Sequence, residues 1–457
     1  MTAPAARPTR TRYVVMVFLC SLAFLSYLDR VCISRAQGDI QRDLHISDAK
    51  MGLVMSIFWL GYAMFEIPGG WMGDRFGARR TLSRIVLAWS LFTALSGAAS
   101  GFASLLVYRL LFGVGEAGAF PNMARVQSQW FPARLRARAG GVLWLSARWG
   151  GAFSFLLFGY LLSGFESPAF RGWVARVPAL HFLQTTPAWR LGFWSMGLIG
   201  LVWVAFFFSW FRDDPAQKPS VNQAELDFIR SDRAANAGTE SHGTTRVWSA
   251  LFTSQNLWFL ALAYLCISFG WSFFVSWMPR YLLDVHHVSF KGSQAMDVLP
   301  MFFGGISCLI GGALSDALVR VTGWTRLGRA IFPITGYLTA AVAMFAIRIA
   351  HTPGQAIFLM CVASAANDFG QGACWTTVIG VGGLYAGTAF GFMNMVGNIG
   401  NLQPVVGAMI FKHFGWNVLF AVYAGVYFAA ACLWLGINPN KRFYQEPAGF
   451  PVVMRGP

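Results

Sequence analysis

Charge is scarce in this sequence. Asp, Glu, Lys and Arg make up 12% of its 457 residues, against roughly 25% in an ordinary soluble domain, and only 19 are acidic. Catalytic signatures are missing as well. No Gly-x-x-x-x-Gly-Lys loop is present to cradle a nucleotide phosphate, which excludes drive by ATP, and no paired-histidine motif supplies metal ligands. His286 and His287 stand together in a polar stretch, where solvation accounts for them better than ligation. The 7 cysteines (Cys20, Cys32, Cys266, Cys308, Cys361, Cys374 and Cys432) are odd in number and fall inside apolar runs, so no disulfide framework or zinc spacing emerges. No catalytic residue, metal site or cofactor is expected, and the chain does not read as an enzyme.

What is abundant is apolar surface, with 56% hydrophobic residues. They arrive in blocks long enough to cross about 30 Å of hydrocarbon, which takes roughly 20 residues at about 1.5 Å each. A water-soluble fold has nowhere to put such blocks, so the partner is a lipid bilayer. The net charge of +16 does not indicate nucleic acid, because residues that grip phosphate backbones cluster on one polar face. Here they occupy short runs between apolar blocks, the distribution that orients helices in a membrane. Arg7, Arg10 and Arg12 precede the first block as in a signal peptide. The apolar run nevertheless continues into Tyr27-Leu28-Asp29-Arg30 without a small-residue cleavage site, so it reads as an uncleaved first helix.

Six blocks lie near 13–33, 49–70, 82–101, 104–123, 140–162 and 189–211, and six more near 257–283, 295–318, 330–349, 355–378, 387–411 and 417–435. The polar stretch between the sets cannot build a core of its own. The resulting division is a six-helix bundle over 1–211, a linker over 212–250, a second bundle over 251–437 and a tail over 438–457. Placing both termini on one side leaves 21 basic residues in the segments of that side and 7 in those of the other, which predicts cytoplasmic termini. The 163–188 segment between blocks five and six is either an outer hairpin lying on the protein or an insertion, and the insertion is favoured because loops tolerate added length.

After block two the chain reads Gly70-Trp71-Met72-Gly73-Asp74-Arg75-Phe76-Gly77-Ala78-Arg79-Arg80. A generic basic loop needs no such spacing of glycine, acid and base. The stretch resembles the signature loop of the major facilitator superfamily through Gly70, Asp74, Arg75, Gly77 and Arg79, and Gly312-x-x-x-Asp316 is a weaker copy at the equivalent place in the second half. This resemblance implies an all-α membrane protein of 12 transmembrane helices in two six-helix bundles that rock around a site near the midplane. A closer resemblance rests on Tyr27-Leu28-Asp29-Arg30, on Arg109-Leu-Leu-Phe-Gly-Val-Gly-Glu116-Ala-Gly-Ala-Phe-Pro121-Asn122 and on Trp130-Phe131-Pro132. Trp277-x-Pro279-x-Tyr281-Leu282 and Gly391-Phe392-Met393-Asn394-Met395-x-Gly397-Asn398 extend it. Together these stretches look like the anion:cation symporter family, which includes carriers of galactonate, glucarate and hexuronates and the sialic-acid and vesicular glutamate carriers.

Asp29, Arg30, Glu66, Arg109, Glu116 and Arg148 all fall within predicted spans, although a charge at mid-helix costs about 2.5–3.5 kcal/mol. Each is either half of an internal ion pair that locks helices or part of a pathway. Arg109 and Glu116 share a helix face about 10.5 Å apart, too far to pair along the helix. The resemblance implies that Arg30 contacts the substrate and that Asp29 and Glu116 carry proton coupling. Tyr27 and Tyr62 are candidate binding residues or aromatic packing, and Glu66 is more easily a gate or packing acid. Arg148 has no counterpart in the family pattern; it either adds charge for a doubly anionic substrate or neutralises Glu66 or Glu116. Asp368 is the main charge in the second-half spans. Asn394, Asn398 and Asn401 form a polar stripe suited to hydroxyl groups or to helix contacts, and Trp375 either stacks on a sugar-like ring or fills space.

The expected function is symport of an organic anion, a sugar acid such as hexuronate, galactonate or glucarate or another carboxylate, with protons or sodium. The carrier is expected to act as a monomer in a bacterial inner membrane. A proton-driven exporter of drugs or metabolites is the alternative, but Arg148-Trp149-Gly150-Gly151-Ala152 lacks the proline of the exporter pattern in span five. A non-transporting receptor would carry an output domain, and none is visible.

Overall fold

Apolar blocks of this length satisfy their backbone hydrogen bonds inside a lipid solvent only as helices or closed barrels, and here they are helices. The fold is taken from a computed structural model that describes residues 7–231, 244–288 and 290–444, with no β-strand among the described residues. The first six spans are Thr11–Leu44, Asp48–Phe76, Ala78–Gly97, Phe102–Glu116 continued by Ala119–Trp130, Arg136–Glu166 and Ala188–Trp210. The second six are Gln255–Ser276, Phe290–Thr322, Thr325–Ala346, Pro353–Phe369 continued by Gln371–Gly382, Ala386–Ile399 continued by Gln403–Phe414, and Trp416–Leu435. Several outrun their apolar blocks: span one continues past Ile33 to Leu44, since a helix needs no apolar face once it leaves lipid. Large apolar side chains such as Tyr160 (77% exposed) and Val342 (70% exposed) cover the outside, the inverse of a soluble surface.

The packing repeats. Span one lies on five, two on four and three on six, and correspondingly seven lies on eleven, eight on ten and nine on twelve. Two seams dominate the junction of the halves, span two against eleven and span five against eight, and they are equivalent under the same repeat. Both are backbone-tight: a Cβ on Gly70 would meet the Gly387 carbonyl oxygen at 2.2 Å, and one on Gly312 would meet that of Ala137 at 2.4 Å. Small residues let helices approach closely where hydrophobic attraction is absent.

Two connecting segments are more ordered than a bare loop. The linker, whose composition cannot build a core of its own, contains the helix Gln223–Arg230, whose Glu225 is fully buried against the start of span one. Glu225 accepts from the backbone N–H groups of Thr11 and Arg12, both at 3.2 Å, from the Arg12 guanidinium at 3.0 Å and from the Thr9 hydroxyl. An acid at a helix N-terminus is also favoured by the helix dipole. Glu225→Ala is expected to destabilise the fold by about 3 kcal/mol, because breaking a buried pair strands the remaining charge; thermal unfolding in detergent at one fixed scan rate measures it. Linker residues 232–243, which include Arg233, and tail residues 445–457, which include Arg455, lie outside the described residues.

The 163–188 segment is likewise not a bare insertion. It folds as Pro168–Ala175, the turn Pro178–Leu180 and Phe182–Thr185, closed by the Arg171 guanidinium, which donates to the carbonyls of Leu183 (3.0 Å), Thr186 (3.2 Å) and Gln184. Charge content gave no sign that one arginine would satisfy three carbonyls.

Candidate functional site

Three residues are nearly one helical turn, so Tyr27 and Arg30 project from one face of span one, and that face meets a cavity between the halves. The first half contributes Tyr27, Arg30, Trp59, Tyr62, Phe120, Trp144 and Arg148; the second contributes Tyr264, Ile267, Ser268, Trp271, Asn367, Gln371, Asn394, Asn398 and Asn401. One wall is therefore cationic and aromatic, the other rich in amides.

Arg30 donates from Nε to Glu116 Oε1 at 2.9 Å, and the Ser26 hydroxyl donates to the same oxygen. Its Nη2 has no partner, and neither has Glu116 Oε2. The guanidinium lies 4.4 Å from the centre of the Tyr62 ring and 5.1 Å from that of Tyr27, a cation–π setting that holds it without consuming its donors. Glu66 is fully buried and accepts from Asn394 Nδ2 at 2.7 Å, which joins span two to span eleven beside the cavity. Asn401 Nδ2 donates to Asn398 Oδ1 at 3.0 Å, leaving Asn398 Nδ2 unpartnered, as are the acceptors Asn367 Oδ1 and Gln371 Oε1. Such open donors and acceptors in a buried wall suit a hydroxylated ligand.

Other sequence candidates stand behind the wall. Arg109 is buried against Phe112 and Phe58, its guanidinium 4.6 and 5.2 Å from their ring centres, and it does not reach the cavity. Asp29 is also buried, in the electrostatic reach of Arg109 and Glu116 and not on the wall. Trp375 is a correction. Its indole fills the space that Gly140 leaves by lacking a side chain, packs edge-on to Trp144 at 5.9 Å and Phe390 at 4.5 Å, and donates from Nε1 to Gln127 Oε1 at 2.6 Å. It is part of a layer beneath the cavity that ties span ten to span four, and no face is left for a sugar ring. Arg148 corrects a second expectation: its partner is neither Glu66 nor Glu116 but Asp368, held through Nε at 2.8 Å and Nη2 at 2.6 Å.

The signature residues lie at the face that carries the chain termini. Asp74 accepts from the backbone N–H groups of Gly387 (3.2 Å) and Thr388 (2.7 Å), from the Thr388 hydroxyl (2.8 Å) and from Arg125 (2.8 Å). A carboxylate of span two thereby caps the helix Ala386–Ile399 of span eleven, whose first N–H groups have no internal acceptor. Asp316 does the same across the other seam, accepting from Arg138 N–H at 2.7 Å and from Arg329 at 2.6 Å. Gly77 takes φ +86°, and a side chain there would strike the Asp213 carboxylate that accepts from Arg79 N–H, so glycine is required at that turn. Arg79 also donates to the Phe208 carbonyl, and Arg75 lies over the Trp71 ring at 5.2 Å.

Trp59, Trp144, Tyr264, Ser268, Trp271, Asn367 and Gln371 were not singled out from sequence. Tyr264, Ser268 and Trp271 recur at i, i+4 and i+7, and Asn367 and Gln371 at i and i+4, so one-face spacing was the available signal.

Twelve helices in two equivalent halves around a polar, charged cavity describe a secondary membrane carrier. The chain belongs to the major facilitator superfamily, whose family model matches residues 19–402. It is 29% identical to a probable sulfoacetate transporter of Cupriavidus necator, over 94% of both chains. It is 28% identical to a D-galactonate transporter of Escherichia coli, over 90% of this chain and 92% of that one. The hexuronate transporter of Bacillus subtilis is 30% identical over 76% and 75%. Among solved structures, the fucose:proton symporter of E. coli shares the fold with TM-score 0.70 at 14% identity, over 93% of this chain and 99% of that one. The protein is a multi-pass transporter, and the three relatives just named carry organic anions by name, in line with its resemblance to the anion:cation symporters.

Proposed function

We propose that the protein is a proton-coupled symporter of a small organic anion, a sugar acid or another carboxylate, working by alternating access. The observation that carries this reading is Arg30, which faces the cavity with Nη2 unpartnered while Nε holds Glu116. A ligand carboxylate and Glu116 compete for one planar fork of donors. That competition ties the arrival of an anion to the charge on Glu116, with Asp29 as the neighbouring carboxylate, and so gives a proton a reason to travel with the anion. Tyr27, Tyr62, Asn394 and Asn398 orient the remainder of the ligand, and Arg109 sets the field behind the acids.

In this reading 1–211 and 251–437 are the rocking bundles, 212–250 joins them and 438–457 is a tail. The Asp74 and Asp316 caps hold the terminal face shut. The excess of basic residues on that face supports its being cytoplasmic, in a bacterial inner membrane, and a cavity contained within one chain supports a monomer. Uptake into proteoliposomes tests the proposal with galactonate, glucuronate and sulfoacetate under a proton gradient, a sodium gradient or neither. Acceleration of at least one anion by the proton gradient is expected. Acceleration by sodium alone reassigns the coupling ion, and transport of none of these acids removes the anion assignment.

A further inference from the structure

The Arg148–Asp368 pair has no place in a site that needs one guanidinium. Arg148 comes from span five and Asp368 from span ten, so the pair crosses the junction of the halves. Burying two charges is expensive, and two well-packed apolar residues of similar volume would tie the helices together as well or better. Arg148 moreover lies on the cavity wall whereas Asp368 does not. Its guanidinium is positioned over the Trp271 ring at 4.5 Å and near that of Trp144 at 5.6 Å, and Asp368 also accepts from Asn367 Nδ2 at 2.7 Å. Asp368 occupies Nε and Nη2, while Nη1 makes no hydrogen bond among the described residues. The cation is therefore neutralised by Asp368 but retains a donor for a ligand.

We propose that Arg148 is a second anion-binding point and that the transported substrate is a dianion with its two acidic groups at opposite ends of a short chain. The proposal rests on the anion-carrier reading and specifies its substrate class. The two cations stand on different rings of one stacked pair: Arg30 lies 5.7 Å from the Phe120 ring centre and Arg148 5.6 Å from that of Trp144, and Phe120 stacks on Trp144 at 5.2 Å. The terminal groups of a dicarboxylate or a sulfocarboxylate can engage one of these cations each. One end displaces or shares Glu116 at Arg30, the other engages Nη1 and competes with Asp368, and the hydroxyls between them face the amide wall. A monoanion fills only the first point and gains nothing from the second.

The test compares a matched pair of probes, glucarate with two carboxylates and gluconate with one, by calorimetric binding to the purified full-length transporter. Sulfoacetate against isethionate repeats it with a shorter chain. The parent protein is expected to prefer the dianion in at least one pair. Asp368→Asn removes the internal competitor, so the dianion-to-monoanion affinity ratio is expected to rise about tenfold, the size of one charge-assisted hydrogen bond. The double variant Arg148→Gln/Asp368→Asn leaves no stranded charge and is expected to bring the ratio close to one. If Asp368→Asn does not fold, the double variant alone decides. Monoanion and dianion affinities that move by the same factor in the variants would make the pair a structural tie and overturn the proposal while leaving the anion carrier standing. Failure of all four probes to bind the parent protein would remove both.

Discussion

Replacing Arg30 by alanine is expected to lower the initial rate of organic-anion uptake in proteoliposomes by about 100-fold or more. Two losses add. The ligand loses a guanidinium on the cavity wall whose Nη2 no protein acceptor claims, and Glu116 is left fully buried with only the Ser26 hydroxyl on Oε1. An uncompensated buried carboxylate either takes a proton permanently or recruits Arg109 from behind the wall, and both outcomes uncouple its charge from the ligand. Arg30→Lys is expected to recover only part of the rate, because an ammonium is a point charge that cannot hold Glu116 and a ligand carboxylate in one plane. Rates are normalised to reconstituted protein, so a variant that merely folds poorly is told apart from one that folds and does not carry. Uptake by Arg30→Ala equal to that of the parent would remove Arg30 from the site.

Much of this architecture was legible because lipid imposes strong rules. Twelve apolar blocks could only become helices, and the motif at Gly70–Arg80 marked the seam where span two meets span eleven. The charged residues of the spans were legible as exceptions, since each costs too much to be incidental. Their pairing was not. Nothing in the sequence says that Arg148 faces span ten and not span two, because partner choice depends on how the halves dock, and the two residues are far apart in the chain. Trp375 failed for a related reason: an indole near a pore reads as a ligand platform until the empty volume over Gly140 is seen to accommodate it. The linker helix was not legible because it is one short helix docked through Glu225 on the first turn of span one and Ile229 in the core, and composition averages over so few residues. Amides on spans ten and eleven were visible as polar residues, but only geometry distinguishes those with open hydrogen-bonding atoms from those already satisfied.

Asp74→Ala is expected to open the terminal face, by an amount comparable to the largest effect at the binding site. The carboxylate satisfies two backbone N–H groups, a hydroxyl and the Arg125 guanidinium at once, and all but Arg125 belong to the other half of the chain. Its removal strands the first N–H groups of the helix Ala386–Ile399 and a partly buried arginine in the closed state only; in the open state water reaches them. The cost therefore falls on one conformation, and about 3 kcal/mol moves the ratio of closed to open by roughly 100-fold. Spin labels at exposed Arg80 in the first half and Trp324 in the second report the separation across this face. A longer mean distance in Asp74→Ala than in the parent is expected, with Asp74→Asn intermediate because its amide oxygen still accepts one backbone hydrogen bond. Asp316→Ala should lengthen the same distance, since Asp316 caps span five from span eight as Asp74 caps span eleven from span two. Because both caps guard one opening, removing the second after the first should add less than it does alone. An unchanged distance in Asp74→Ala would mean that the glycine-lined backbone contact at Gly70 and Gly387 closes the seam without help from the cap.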